Sequence, residues 1–111
     1  MIIFDNINRN LIVKIIGDID HHSSKDIREK IDKEINKHKI KNIIFDFSEV
    51  IFMDSSGIGM VIGRYKNIEK AGGKVAISSI SDEAKRIFEL SGLFRIINLY
   101  DNIDSALKGF G

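Results

Sequence analysis

Apolar positions along this chain recur with two spacings, and the alternation between them lays out the elements. Ile2 to Phe4 is a short apolar run of edge-strand type, and Leu11 to Ile16 (LIVKII) is rich in β-branched residues and closed by Gly17. Runs of this composition read as strands. Asp5-Asn6 and Asn8 to Asn10 bracket a turn between them, so the pair predicts a hairpin. The polar stretch Gly17 to Ser24 reads as a loop running into a helix, with Ser23 and Asp26 spaced as in a capping box. Ile27, Ile31 and Ile35 repeat at i, i+4 and i+8, one apolar stripe on a helix that ends near Asn36 to Lys39. Asn42 to Phe47 (NIIFDF) has few polar positions, as a strand covered on both faces requires. The intervening helix is then the crossover between two parallel strands.

Asp46 to Gly63, DFSEVIFMDSSGIGMVIG, follows as the end of that strand and a short apolar loop. Asp54, Ser55, Ser56 and Gly57 then precede an amphipathic helix, which Ala71-Gly72-Gly73 stops. Lys74 to Ile77 is the next strand. Ser81-Asp82-Glu83 starts a helix with Ala84, Ile87, Phe88 and Leu90 as its apolar positions, and Gly92 with Leu93 forms its C-terminal stop. Ile96 to Leu99 reads as a last short strand, and Asp101-Asn102 caps a final helix bearing Ile103, Ala106, Leu107 and Phe110. The expectation is one α/β domain over residues 1–111: a mixed sheet of four to five strands with about four helices packed against it. No internal repeat, low-complexity segment or linker interrupts it.

Composition narrows the function classes. The 111 residues carry a formal net charge of +1, so no global basic footprint for nucleic acid is present. The lysine-dense segment Lys25 to Lys41 interleaves Asp26, Glu29, Asp32 and Glu34, which reads as a solvated helix face with pairs such as Asp26–Lys30. Absence of cysteine excludes disulfides, thiolate catalysis and zinc–thiolate sites. The polar N-terminus does not read as a signal peptide and no apolar run is long enough to span a bilayer, so a cytoplasmic location is expected.

The candidate chemistry gathers at Asp54 to Gly57. At about 100° per residue, Ile58, Val61, Ile62, Tyr65 and Ile68 form the core side of the helix. Ser56, Gly63 and Asn67 fall opposite, Gly59 and Met60 flank them, and Ser55 lies at the margin. Ser56 is thus expected to point outward beside a surface kept low by glycine. Gly59 and Gly63 equally fit a role in tight packing against a neighbouring segment. Ser and Asp are also ordinary N-cap residues, which need no function. Gly57, Gly59 and Gly63 miss the GxGxxG spacing, Gly-Lys-Ser/Thr is absent, and neither serine sits in GxSxG. A small nucleotide-binding or hydrolytic domain using the Ser55-Ser56-Gly57 corner stays as the alternative to an acceptor site. A phosphate on Ser56 would add about −1.5 to −2 charge beside Asp54 and expel a closely docked partner. Asp20, His21 and His22 follow the Leu11–Ile16 strand, and loops at the carboxyl ends of parallel strands share one edge. They are expected beside the Asp54–Gly57 corner as a polar docking loop. The third histidine, His38, lies at a distant helix end, which argues against a metal site.

These segments carry a resemblance. GDIDHHSS at Gly17 to Ser24 resembles the GELDHHTA-type loop of bacterial anti-sigma factor antagonists, members of the STAS domain family. FMDSSGIGMVIGRYK at Phe52 to Lys66 is similar to that family's phosphorylation segment, and KRIFELSGLFRII at Lys85 to Ile97 resembles its third helix and exit. The combination of DSSG with GRYK is closest to the sporulation branch; Asp18, where those members often have Glu, is a small departure. The resemblance implies a STAS-like fold and a binding switch with no catalysis and no cofactor of its own. The implied partner is an anti-sigma factor that is also a serine kinase with bound ATP or ADP, and a membrane-associated serine phosphatase reverses the modification. The acceptor maps to Ser56. Asp54, Ser55, Gly57, Gly59 and Met60 map to its docking surface, and Asp20, His21 and His22 to the neighbouring one. No direct nucleic-acid or membrane contact is implied, and the chain is expected to be a monomer or weak dimer.

Overall fold

A computed structural model describes residues 1–110. Strands β1 (Ile2–Ile7), β2 (Asn10–Ile15), β4 (Asn42–Phe47), β6 (Val75–Ile80) and β7 (Asn98–Tyr100) form one sheet in the order β1-β2-β4-β6-β7. β1 runs antiparallel to β2, and the other pairings are parallel. Asn8 and Arg9, both at positive φ, make the two-residue turn whose twist suits a hairpin. Helices α1 (Ser24–His38), α2 (Ser55–Lys70) and α3 (Asp82–Ser91) are the crossovers between successive parallel strands, and α4 (Ile103–Gly109) is the last element of the described residues.

Side-chain alternation on the strands divides the core. Leu11, Val13 and Ile15, Ile43, Phe45 and Phe47, and Val75 and Ile77 point to one face, where they meet Ile27 and Ile31 of α1, Val61 of α2 and Phe88 of α3. Ile12, Ile44 and Ala76 point to the other, under Ala106 of α4. The expected double coverage of Asn42–Phe47 follows from this: Ile43 to Phe47 are all buried. Phe88 sits at the centre of an aromatic row, 5.6 Å from Phe47 and 5.5 Å from Phe94 between ring centroids.

Four local expectations change. Gly17–Ile19 and Val50–Met53, read as loops, are strands β3 and β5, a separate parallel pair. Both are too short, and β5 too exposed in its middle at Ile51 and Phe52, to show a strand period. The last strand starts at Asn98 because Leu93–Arg95 tightens into a 3-10 turn and Ile97 turns into the core. Leu90 is 79% exposed, since α3 buries the arc through Ala84 and Phe88. Ser23 does not cap α1 through its side chain; its hydroxyl instead donates to Asp18 O and accepts from Asp20 N–H, both at 3.0 Å. Among the described residues no helix is long and apolar enough to cross a membrane.

The aromatic row sets the first prediction. Phe88→Ala is expected to destabilise the domain by about 3–5 kcal/mol, read as a lower urea midpoint at unchanged slope.

Candidate functional site

The β3–β5 ladder brings two loops together. Asp18 pairs with Phe52 and Ile19 with Met53, and Asp54 N–H donates to Ile19 O at 3.2 Å. Each short strand leads straight into a helix start, β3 through Asp20 to Ser23 into α1 and β5 through Asp54 into α2. The two helices start at one edge of the sheet. His21, His22, Ser24, Lys25 and Arg28 on one side, and Ser56, Gly59, Met60, Gly63 and Arg64 on the other, line an open groove of about 760 Å³.

Asp54 is the N-cap of α2: its Oδ1 accepts the Ser56 N–H at 2.8 Å from an extended backbone. The capping task therefore falls to the aspartate. Among the described residues the Ser56 hydroxyl has no hydrogen-bond partner, and neither serine hydroxyl bonds to His21 or His22. Ser55 is exposed and Ser56 half-buried at the groove wall. In the loop before α1, Asp20 Oδ1 accepts from His22 N–H at 2.9 Å and Ser23 N–H at 3.0 Å. Those backbone bonds, Ser23 first, hold the Asp20 carboxyl below the usual aspartate range. His21 and His22 are exposed, with ring centroids 5.9 Å apart.

The glycines separate into two roles. A Cβ on Gly57 would stand 2.8 Å from Met53 Cγ and 3.0 Å from Ile19 Cγ2, so this buried glycine lets α2 start hard against the β3–β5 pair. Gly59 and Gly63 would meet nothing within 4 Å; they keep the groove open instead of seating a neighbour. Gly57 and Met60, expected on the outer surface, are both buried, Met60 at 4% exposure. α2 packs on α1 as well as on the sheet, and its buried arc is rotated to take in Met60 and Arg64 while Ile62 and Tyr65 are only half-buried. Met60 reaches the groove as its floor.

Arg64 was not singled out by helical phase. It is 6% exposed, and its Nε lies 3.0 Å from Asp32 Oδ1. That approach is an ion pair in distance but is not directed as a hydrogen bond: Nε and Nη1 have no hydrogen-bond partner among the described residues. Burial lowers the Arg64 pKa from its ordinary value, with Asp32 opposing and Arg28 adding to the shift. The available signal was its position one turn beyond Met60, on a stripe from Ser56. Lys25 and Arg28, read as part of a solvated face, also line the groove.

This geometry has counterparts. The STAS domain family model matches residues 1–106, and the chain belongs to that family. An anti-sigma F factor antagonist of Paenibacillus polymyxa is 39% identical, over 87% of this chain and 83% of its own. Among solved structures, the anti-sigma factor antagonist SpoIIAA in its unphosphorylated form matches with TM-score 0.83 at 29% identity, covering 96% of this chain and 93% of its own. The Bacillus cell fate determinant SpoIIAA in the phosphorylated form matches at 0.76 and 28%, covering 97% of each chain.

Two predictions follow from the helix starts. Gly57→Ala is expected to be overpacked and at least about 1 kcal/mol less stable than Gly59→Ala, where alanine improves helix propensity in open space; urea titration of both variants ranks them. Asp20 has a depressed folded-state pKa, so its contribution is present above the unfolded value of about 3.9 and is lost as pH falls through the folded one. Asp20→Asn keeps an acceptor but no titration, and its unfolding free energy is expected to depend less on pH between about 5 and 2.

Proposed function

We propose that this protein is an anti-sigma factor antagonist that works by partner switching. The unmodified chain binds a serine-kinase anti-sigma factor carrying ATP or ADP and frees the sigma factor, and phosphorylation of Ser56 ends the binding. A serine phosphatase resets it. The observation that carries this reading is the division of labour at the α2 start: Asp54 takes the cap, leaving the Ser56 hydroxyl uncommitted at the rim of a groove. In the transfer, Ser56 Oγ forms a bond to the γ-phosphorus, the bond to the β-phosphate oxygen breaks, ADP leaves and the hydroxyl proton passes to a base on the kinase. The chain supplies an acceptor and a docking surface, with no chemistry of its own, and acts in the cytoplasm.

The named relatives support the antagonist role, and the existence of SpoIIAA in phosphorylated and unphosphorylated forms supports a modification switch. The docking surface comprises Asp20, His21, His22, Ser55 and Gly59 around Ser56, with Asp54, Gly57 and Met60 shaping it from beneath. Bulk and charge explain the switch: a dianion set over the glycine-lowered wall of α2 occupies the space a partner would use.

Incubation with the cognate kinase and ATP, followed by intact-mass measurement, tests the assignment. The wild-type chain is expected to gain one phosphoryl group and Ser56→Ala none; a Ser56→Ala protein that still gains one phosphoryl group rejects the site.

A further inference from the structure

The groove beside Ser56 has a charge of its own. Lys25, Arg28 and Arg64 line it and no carboxylate does. Arg64 is buried with its Nη1 unpartnered, and the like charge of Arg28 faces it. A buried guanidinium with an unmatched N–H and a cationic neighbour is costly, and an anion between them relieves both terms. The usual anion position at a helix N-terminus is meanwhile taken, since Asp54 Oδ1 already holds the Ser56 N–H.

We propose that the α1–α2 groove is a receptor in cis for a phosphoryl group on Ser56, with Arg28 and Lys25 as its ligands and Arg64 as the positioning charge behind them. The proposal rests on Ser56 as the acceptor. Ser56, Met60 and Arg64 are four residues apart, about 6 Å of helix rise each, on one stripe of α2. Arg64 lines the same groove as Ser56, its Nε 3.0 Å from Asp32 Oδ1 of α1. Gly59 and Gly63 leave the space beside that stripe clear. Across the groove Lys25 and Arg28 are three residues apart on one face of α1. The other charged and titratable groups around it are Asp20, His21 and His22 of the loop, Asp32 of α1 and Asp54 of α2. Asp20 and Asp54 accept backbone N–H groups at the mouth and repel a dianion inward, toward the cations. The phosphorylated chain thus folds its new charge into its own surface, and the cations that distinguish the unmodified groove are neutralised.

The full chain with phosphoserine encoded at position 56 tests this, by ³¹P NMR titration of the phosphate. The ordinary second pKa is about 6. The midpoint is expected at least about half a unit lower, a threefold change in the acid constant. Arg28→Gln and Lys25→Gln, both at exposed positions, are each expected to move it back up, while Lys85→Gln on α3 leaves it in place. The His21→Gln/His22→Gln background, which removes the two neighbouring imidazoles, is expected to keep the depression. A midpoint at or above the ordinary value overturns the proposal. So does a depression that Arg28→Gln and Lys25→Gln leave untouched, or one that vanishes with the histidines. Because the phosphoserine is built in during translation, the titration reads the groove whether or not a kinase uses Ser56. Failure here and failure of the acceptor assignment are therefore separate results.

Discussion

The parallel pairing of β3 with β5 is the constraint on which the rest of the site depends. Strands β2 and β4 end at the same edge of the main sheet, but their loops would leave it independently without a further tie. The tie is made by backbone groups: Gly17 N–H donates to Glu49 O at 3.1 Å, and Asp54 N–H to Ile19 O at 3.2 Å. Gly57 then lets the first turn of α2 close over Met53 and Ile19. Main-chain hydrogen bonds on two short strands hold two helix starts at a set separation with no help from long, mobile side chains. A site built on rigid elements keeps its geometry more tightly than one built on loops.

On that frame, charge is distributed against the average. The chain is close to neutral overall, yet the groove between α1 and α2 collects three cations. Asp20 and Asp54, the carboxylates at the two helix starts, are engaged with backbone N–H groups, and Asp32 lies against Arg64. A single added phosphoryl group has large leverage in such a place, because it offsets most of the positive charge of a small, partly desolvated surface while the helices around it stay where the sheet holds them. A domain of the STAS family can on this reading signal through its surface with its fold unchanged.

Much of the architecture was legible from periodicity. The isoleucines of α1, the largely apolar run of β4 and the caps at Ser81 and Asn102 all correspond to what the structure contains. The misreadings have particular causes. β3 and β5 were missed because a strand of three or four residues, half exposed, is defined by its pairing partner and leaves little pattern in sequence. Leu90 was placed inward because an apolar side chain at a roughly helical spacing does not say how wide the buried arc is. Ser23 looked like a cap, but its hydroxyl is engaged by Asp18 O and Asp20 N–H on the loop side and leaves the helix donors alone.

At the site itself the division is sharper. Local order along the chain was enough to place a free hydroxyl at the start of a helix, to set glycines beside it and to bring the Asp20–His22 loop to the same edge, since strand polarity alone dictates which loops are neighbours. The rotation of α2 about its own axis was not available from local order. It depends on α2 packing against two surfaces, the sheet and α1, so Met60 and Arg64 turn inward although the simple apolar stripe predicts otherwise. For the same reason the cationic groove could not be read from either helix: Lys25 and Arg28 look like solvent-facing charges on α1, Arg64 like an interruption on α2, and only their packing puts the three around one hydroxyl. Periodicity reports one face of one helix, whereas a groove belongs to two.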